Sequence, residues 1–453
     1  MGFDRLFHAG NRSLVYLSSA RYCGSFEPAH WTQKTEMKAP MPPATKEFTV
    51  NDRTYRPPAR PVAVICIDGC ADEYLDTSLA LGRMPRLARL LEEGSFRAMA
   101  RGALPSFTNV NNSSITTGVP PAVHGISGNF FLDPETGEEV MMNSPSYLRC
   151  GTILAAAAQA GRKVAMVTAK EKLRDILSHE LDGIAFSAEK ADQASEGTHG
   201  ISGVEELVGE PAPEIYSAAA SLFVLKAGAA LIEREKADFL YLSLTDYMQH
   251  KFTPEDTESL DFYAALDHEL GRLLDLGAVV GATADHGMNS KQTTAGEPNV
   301  IYLESLLSEE LKEEIKVILP ITDPYVLHHG ALGSLACVHL PDCIDAGEII
   351  SRLLKLDGIT EAYDRATAAR KLELPADRIG DVVVLSGRDV VIGRTPDYHD
   401  LAAIQEGLRS HGGRYEEMVP FLLSEKINAE YSRRTGDLRN FDIFEFTTNG
   451  IQV

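Results

Sequence analysis

Three apolar runs in this chain each break off on an acid. Residues 62–67 stop at Asp68-Gly69, residues 239–244 at Thr245-Asp246, and residues 278–283 at Ala284-Asp285-His286-Gly287. Runs this short and this apolar read as strands buried on both faces, as in a parallel sheet covered by helices. In open α/β sheets the carboxyl ends of the strands form the ligand crevice, so acids far apart in sequence can converge there. His250 follows Asp246 by one helical turn, and His286 adjoins Asp285. Carboxylate and imidazole together suit zinc or another divalent transition ion better than calcium or magnesium, which prefer oxygen ligands alone.

The sequence between these runs supplies the helices such a sheet needs. Strand 62–67 is followed by a helix over 84–93 that stops at Gly94, where a left-handed cap is expected. Helix 152–160, strand 164–168, helix 216–235, strand 239–244, amphipathic helix 259–276 and strand 278–283 follow in turn. This alternation predicts an α/β fold: a doubly wound, mostly parallel sheet flanked by helices. A short hairpin at 46–56, turning at Asn51-Asp52, precedes it. After Gly287 the pattern changes to short mixed elements, with strands at 336–340, 381–385 and 389–393 and a helix near 346–355. Residues 288–398 therefore read as an inserted α+β cap, with the core domain made of 46–287 and 399–453. The core returns near Asp400 through His411-Gly412-Gly413 to an apolar strand at 419–423. Residues 1–45 lack a sustained period and end in the Pro-rich stretch Pro40-Met41-Pro42-Pro43, so they are expected to form a mobile extension; Met37 offers an alternative start.

The formal net charge of −22 argues against nucleic acid or an anionic membrane surface as partner, because both need a basic face. A small anionic substrate is compatible with it where metal ions and a few lysines reverse the sign locally. No apolar stretch approaches the ~18 residues of a membrane span, and no basic start with a continuous apolar core opens the chain, so a cytoplasmic location is expected. The six cysteines form no C-x-x-C pair; Cys66 and Cys70 flank Asp68, but Cys66 sits inside an apolar strand and reads as a buried thiol rather than a ligand.

Between the first two acids, Pro105-Ser106-Phe107-Thr108-Asn109 leads a polar loop into a helix, where amide N–H groups and the helix dipole favour a phosphoryl group. By position alone, Thr108 is one hydroxyl among Ser106, Ser113 and Ser114. Asn129 follows Gly128 and is either a turn residue or an amide that binds a ligand oxygen. Lys170 and Lys172 lie just past the 164–168 strand, a place where lysines are usually solvated. His124, the pair His328-His329, His268 and His399 read as structural or surface residues, and the acidic stretch 307–314 as a solvated helix face.

Taken in order, Asp68, Thr108, Asp246-x-x-x-His250, Asp285-His286 and His411-Gly412-Gly413 resemble the alkaline phosphatase superfamily, in the branch with nucleotide pyrophosphatase-like metal sites. The resemblance implies two zinc ions per chain, one held by Asp68, Asp285, His286 and the Thr108 hydroxyl, the other by Asp246, His250 and His411. It makes Thr108 the nucleophile and Asn129 a phosphoryl-oxygen ligand. Arg56-Pro57-Pro58-Ala59-Arg60-Pro61, Cys66-Ile67-Asp68-Gly69-Cys70, Pro105-Ser106-Phe107-Thr108-Asn109, the lysines 170 and 172, and Leu319-Pro320-Ile321-Thr322-Asp323-Pro324-Tyr325-Val326 are similar to the phosphonoacetate hydrolase family. That family grips a substrate carboxylate with paired lysines and cleaves a carbon–phosphorus bond through a phosphothreonine. The implied partner is phosphonoacetate; a homodimer is compatible with the resemblance. A phosphodiesterase or nucleotide pyrophosphatase with the same metal pair, and a noncatalytic zinc-binding protein, are the competing expectations.

Overall fold

The structure is a computed structural model that describes residues 46–322, 330–404 and 407–452. The expected extension at 1–45, Asp323-Pro324-Tyr325-Val326 and the pair His328-His329 lie outside the described residues.

The alternation read from the sequence produces a seven-stranded sheet. Its strands run in the order Phe96–Arg101, Met418–Leu423, Val279–Thr283, Val62–Cys66, Phe239–Ser243, Val164–Thr168, Ile184–Ser187. Only Met418–Leu423 runs against its neighbours; the remaining pairings are parallel. Val62–Cys66 and its two parallel partners are buried along their whole length, which is why they read as unbroken apolar runs. Helices Ala218–Glu233 and Thr257–Asp275 pack together against the sheet. Helices Ile153–Gln159 and Ile443–Asn449 also pack against it, and Thr108–Thr117 packs against both of them. Gly281 permits the closest of these approaches, since a Cβ there would overlap the Thr447 hydroxyl.

The hairpin forms as expected, Phe48–Val50 against Arg53–Tyr55, with Asn51 and Asp52 at φ of 50° and 61°. Such a left-handed pair is the turn that matches strand twist, and Asn and Asp tolerate it best among residues with a Cβ. Two sheet strands escape the periodicity. Phe96–Arg101 is half-buried and charged at both ends, and Ile184–Ser187 is a four-residue edge strand.

Beyond Gly287 a separate four-stranded antiparallel sheet forms, in the order Lys316–Ile318, Leu335–His339, Val382–Ser386, Ile359–Asp364. Its apolar face is not closed on itself: Val317, Ala336 and Val384 share one cluster with Phe107, Val110 and Phe131 from the segment around Thr108. The helix expected at 307–314 runs instead over Leu303–Leu311, with Leu303 and Leu307 buried, and stops where Lys312 takes φ 60°. It is therefore amphipathic rather than wholly solvated. No described helix is long and apolar enough to cross a membrane.

Candidate metal centre and active-site cleft

The three strands that end in acids lie side by side, so Asp68, Asp246 and Asp285 meet at one sheet edge. All three are at most 4% exposed. Asp246 immediately precedes the short helix Tyr247–Lys251, which returns His250 so that Nε2 lies 2.9 Å from Asp246 Oδ2. His286 Nε2 sits 3.3 Å from Asp68 Oδ1 and 3.7 Å from Asp285 Oδ2. His411, in the chain segment leading to the antiparallel strand, brings Nε2 to 3.8 Å from Asp246 Oδ2 and stacks on His286, with centroids 3.5 Å apart and planes within 7°.

Each imidazole is oriented the same way. A carbonyl oxygen can only accept, so His250 Nδ1–H donates to Arg409 O at 2.8 Å, His286 Nδ1–H to Gly287 O at 2.9 Å and His411 Nδ1–H to Ser106 O at 2.8 Å. Nε2 is thereby the atom each ring turns into the cluster, and backbone-anchored Nδ1 is the usual support of a metal-binding histidine. Both carboxylate oxygens of Asp68 are buried without a hydrogen-bond partner. Burial, reinforced by Asp246 and Asp285, pushes the Asp68 carboxyl well above its usual range. Burial also pushes Asp246 up, but Lys170 and His250 more than offset this and hold it well below. Burial and the neighbouring His286 and His250 push His411 well down. Unpartnered buried carboxylate oxygens facing imidazole nitrogens need a cation, and this N/O donor set fits a divalent metal. Among the described residues, two groups could each hold an ion: Asp68, Asp285, His286 and Asp246, His286, His411.

The hydroxyl question left open by the sequence is narrowed by geometry. Ser106 Oγ donates to Gly413 O at 2.9 Å and accepts from Gly412 N at 3.1 Å. Ser114 Oγ accepts from His124 Nε2–H at 2.8 Å, because His124 Nδ1 already accepts from Ile126 N at 3.1 Å. Ser113 Oγ is buried without a partner. Thr108, the first residue of helix Thr108–Thr117, lies 3.4 Å from His286 Nε2 and lines the cleft. His124 is structural, with burial pushing its imidazole down to about 3. His399 likewise accepts from Arg394 N and donates to Gly330 O. Cys66 and Cys70 are buried thiols, the latter pushed up to about 12 by burial.

A cleft of about 330 Å³ opens over this cluster. Thr108, Asp246 and His411 form its floor, and Asn129, Lys170 and Lys172 join its wall. Asn129 Oδ1 accepts from Asn109 N at 3.2 Å, which leaves its NH₂ as the donor presented to the cleft. Lys170 Nζ lies 3.0 Å from Asp246 Oδ1. Leu173, Ile215 and Tyr216 add an apolar side.

Sequence reasoning missed the residues behind this floor. Asn112 Nδ2 donates to Asp285 Oδ2 at 3.1 Å and to Thr108 O at 3.0 Å, while its Oδ1 accepts from Tyr241 OH at 2.6 Å and Ser243 Oγ at 2.8 Å. Asn111 clamps the preceding loop through Ala103 N at 2.7 Å and Ala103 O at 3.0 Å. Adjacent asparagines in a segment read as entering a helix were the available signal, because Asn is a poor helix former unless its amide is used.

The same frame is found elsewhere. Residues 62–414 match the sequence profile of the family described as type I phosphodiesterase / nucleotide pyrophosphatase. Two crystal structures of phosphonoacetate hydrolase from Sinorhizobium meliloti 1021, one with phosphonoformate and one with phosphonoacetate, are 46% identical over 90% of this chain and 99% of theirs, with TM-score 0.85. Murine ectonucleotide pyrophosphatase / phosphodiesterase 5 shares the fold at 16% identity, over 85% of this chain and 94% of its own, with TM-score 0.59. An uncharacterized pyrophosphatase/phosphodiesterase of Schizosaccharomyces pombe is 36% identical over 84 residues, 18% of this chain and 16% of that protein. The profile spans every strand-end acid and all three oriented histidines, and on that extent the chain belongs to the type I phosphodiesterase / nucleotide pyrophosphatase family.

Proposed function

We propose that this protein hydrolyses the carbon–phosphorus bond of phosphonoacetate to acetate and phosphate. The observation that carries the reading is one cleft lined by Thr108, Asn129, Lys170 and Lys172 above the Asp246 and His411 donors, in a chain 46% identical to a phosphonoacetate hydrolase. The donor set would hold two zinc ions, one at Asp68, Asp285, His286 and Thr108, the other at Asp246, His250 and His411. When bound, such ions supply Lewis-acid stabilisation of the attacking oxygen and of the transferring phosphoryl group.

Thr108 Oγ attacks phosphorus as the phosphorus–carbon bond breaks, and the electron pair passes to the methylene carbon and on into the adjoining carboxylate. Asn129 donates to a phosphoryl oxygen, with the first-turn N–H groups of helix Thr108–Thr117 favouring the same charge. Lys170 and Lys172 take up the negative charge that grows on the carboxylate oxygens, a role that is strong because the wall is partly dehydrated. Protonation of the carbon gives acetate, and water then cleaves the threonine–phosphate bond. Without the carboxylate, carbon has nowhere to place the electron pair, so methylphosphonate is not a substrate.

The antiparallel sheet within 288–398 acts as a cap over a core made of 46–287 and 399–453. A cytoplasmic location fits the buried unpaired thiols Cys66, Cys70 and Cys337. A homodimer is compatible with the reading, which sedimentation velocity decides.

Phosphate release from phosphonoacetate by zinc-loaded protein, beside p-nitrophenyl phosphate, a nucleotide diester and methylphosphonate, tests the proposal. Phosphonoacetate is expected to lead, with loss on chelation and in Lys170→Ala and Lys172→Ala. Preference for the diester, unchanged in the lysine variants, would reassign the protein as a phosphodiesterase, the reading its family description favours. Thr108→Ala is expected to bind metal but release no phosphate; full activity in it would remove the nucleophile.

A further inference from the structure

The chemistry above leaves two buried charges unused. The side chains of Lys291 and Glu416 have no exposed surface, and Lys291 Nζ lies 2.8 Å from Glu416 Oε1. Burying such a pair is favourable only when the remaining donors and acceptors are also satisfied. Here both ends have further partners: Lys291 Nζ donates to Arg388 O at 2.6 Å, Asn289 Nδ2 to Glu416 Oε1 at 2.7 Å, and Gly413 N to Glu416 Oε2 at 3.1 Å. Neither residue lines the cleft.

What the pair touches is informative. Gly287 N donates to Glu416 O at 2.8 Å, directly after His286, and Gly413 N reaches the Glu416 carboxylate two residues after His411. One residue thus holds the chain behind both stacked imidazoles. Among the described residues, the pairing between these segments is Asn289–Ser290 against Arg409–Ser410, extended by Lys291 N donating to Leu408 O at 2.8 Å, too short to fix their spacing by itself. Ser106 grips the 411–413 segment from the other side, through His411 Nδ1, Gly412 N and Gly413 O.

We infer that Glu416, locked in place by Lys291, is a positioning residue that sets the spacing of His286 and His411 and with it the geometry of the metal cluster. The inference rests on the metallohydrolase reading. Supporting groups behind metal ligands commonly change metal affinity or activity by about 10–100-fold when removed.

The test compares wild type with Glu416→Gln, Lys291→Met, the double variant and Asn289→Ala, each titrated as apoprotein with cobalt(II). Visible absorption reports ligand geometry independently of turnover, and circular dichroism reports the folded fraction. Folded variants are expected to show altered cobalt bands, about tenfold or weaker affinity for one equivalent, and lower kcat with KM little changed. Folded variants with wild-type bands and affinity overturn the inference, any activity loss then following the folded fraction alone. Should the charge variants fail to fold, Asn289→Ala decides, because it removes the bond to Glu416, together with those to Tyr415 O and Arg388 Nε, and keeps the ion pair: unaltered bands there overturn the inference, altered ones support it. Wild type that takes up no cobalt overturns the metallohydrolase reading and this inference with it, whereas wild-type-like variants overturn only the inference.

Discussion

Asn112→Leu keeps the branched heavy-atom shape of a fully buried side chain, though not its smaller volume, and removes four hydrogen bonds at once. Two of its losses strand donors: Tyr241 OH and Ser243 Oγ, now 2.6 and 2.8 Å from Asn112 Oδ1, would face a methyl group. An unsatisfied buried group costs about 1–3 kcal/mol, so the pair costs about 4 kcal/mol together. The Thr108 carbonyl and Asp285 Oδ2 lose a donor as well, and an ion held at Asp285, as proposed above, would offset the second. The mechanism makes a sharper claim than the magnitude. If stranded hydroxyls are the cause, removing them should restore stability, because deleting both partners of a hydrogen bond is nearly neutral. Urea unfolding of metal-loaded protein, followed by far-ultraviolet circular dichroism, would compare Asn112→Leu with the triple variant carrying Tyr241→Phe and Ser243→Ala. The triple variant should regain about 2 kcal/mol or more of the loss. No recovery would refute the assignment of Asn112 as a satisfied hub. Activity should stay low in both, since neither restores the bond to Asp285.

Gly412 takes φ +120°, and a Cβ there would overlap the Phe107 ring, so Gly412→Ala must displace the segment carrying His411. A shift of an ångström costs on the order of 100-fold in turnover, measurable as phosphate release from protein that remains folded by circular dichroism. The His124 imidazole is held down to about 3 against 6.5 unfolded, so above pH 6.5 its ionisation contributes nothing; as pH falls below that, the unfolded chain takes up the proton and the folded one does not. Wild type should therefore lose roughly 3 kcal/mol from this group between about pH 6.5 and pH 4, and His124→Gln should lose that much less over the same range in urea titrations. Chelation should abolish turnover and lower the unfolding temperature together, with zinc restoring both, because a ligand bound only by the folded state stabilises it by mass action, about 4 kcal/mol at a thousandfold excess over Kd. An unfolding temperature unmoved by chelator would mean that the donor cluster holds no ion.

The chain itself determined the sheet strands and the acids and imidazoles at their ends. Strands buried on both faces must be apolar throughout, so Val62–Cys66, Phe239–Ser243 and Val279–Thr283 stand out, and the acids that end them stand out with them. Asp246 and His250 share one helical turn, and Asp285 and His286 adjoin, so four of the six clustered acids and imidazoles come as local pairs in sequence. The strand order was not legible. Ile184–Ser187 is too short for periodicity to register, and Phe96–Arg101 is too charged. What separates Thr108 from Ser106 and Ser114 also belongs to the tertiary structure, because only packing commits Ser106 to the 412–413 backbone and Ser114 to His124. The supports behind the ligands were invisible for the same reason. Asn112, which also holds the Thr108 carbonyl, reaches Asp285 across 173 residues, and Glu416 meets Lys291 across 125. Composition and period report which face of an element is apolar; they carry no record of which distant amide or carboxylate will satisfy a buried polar atom, and that pairing exists only once the strands have been laid side by side.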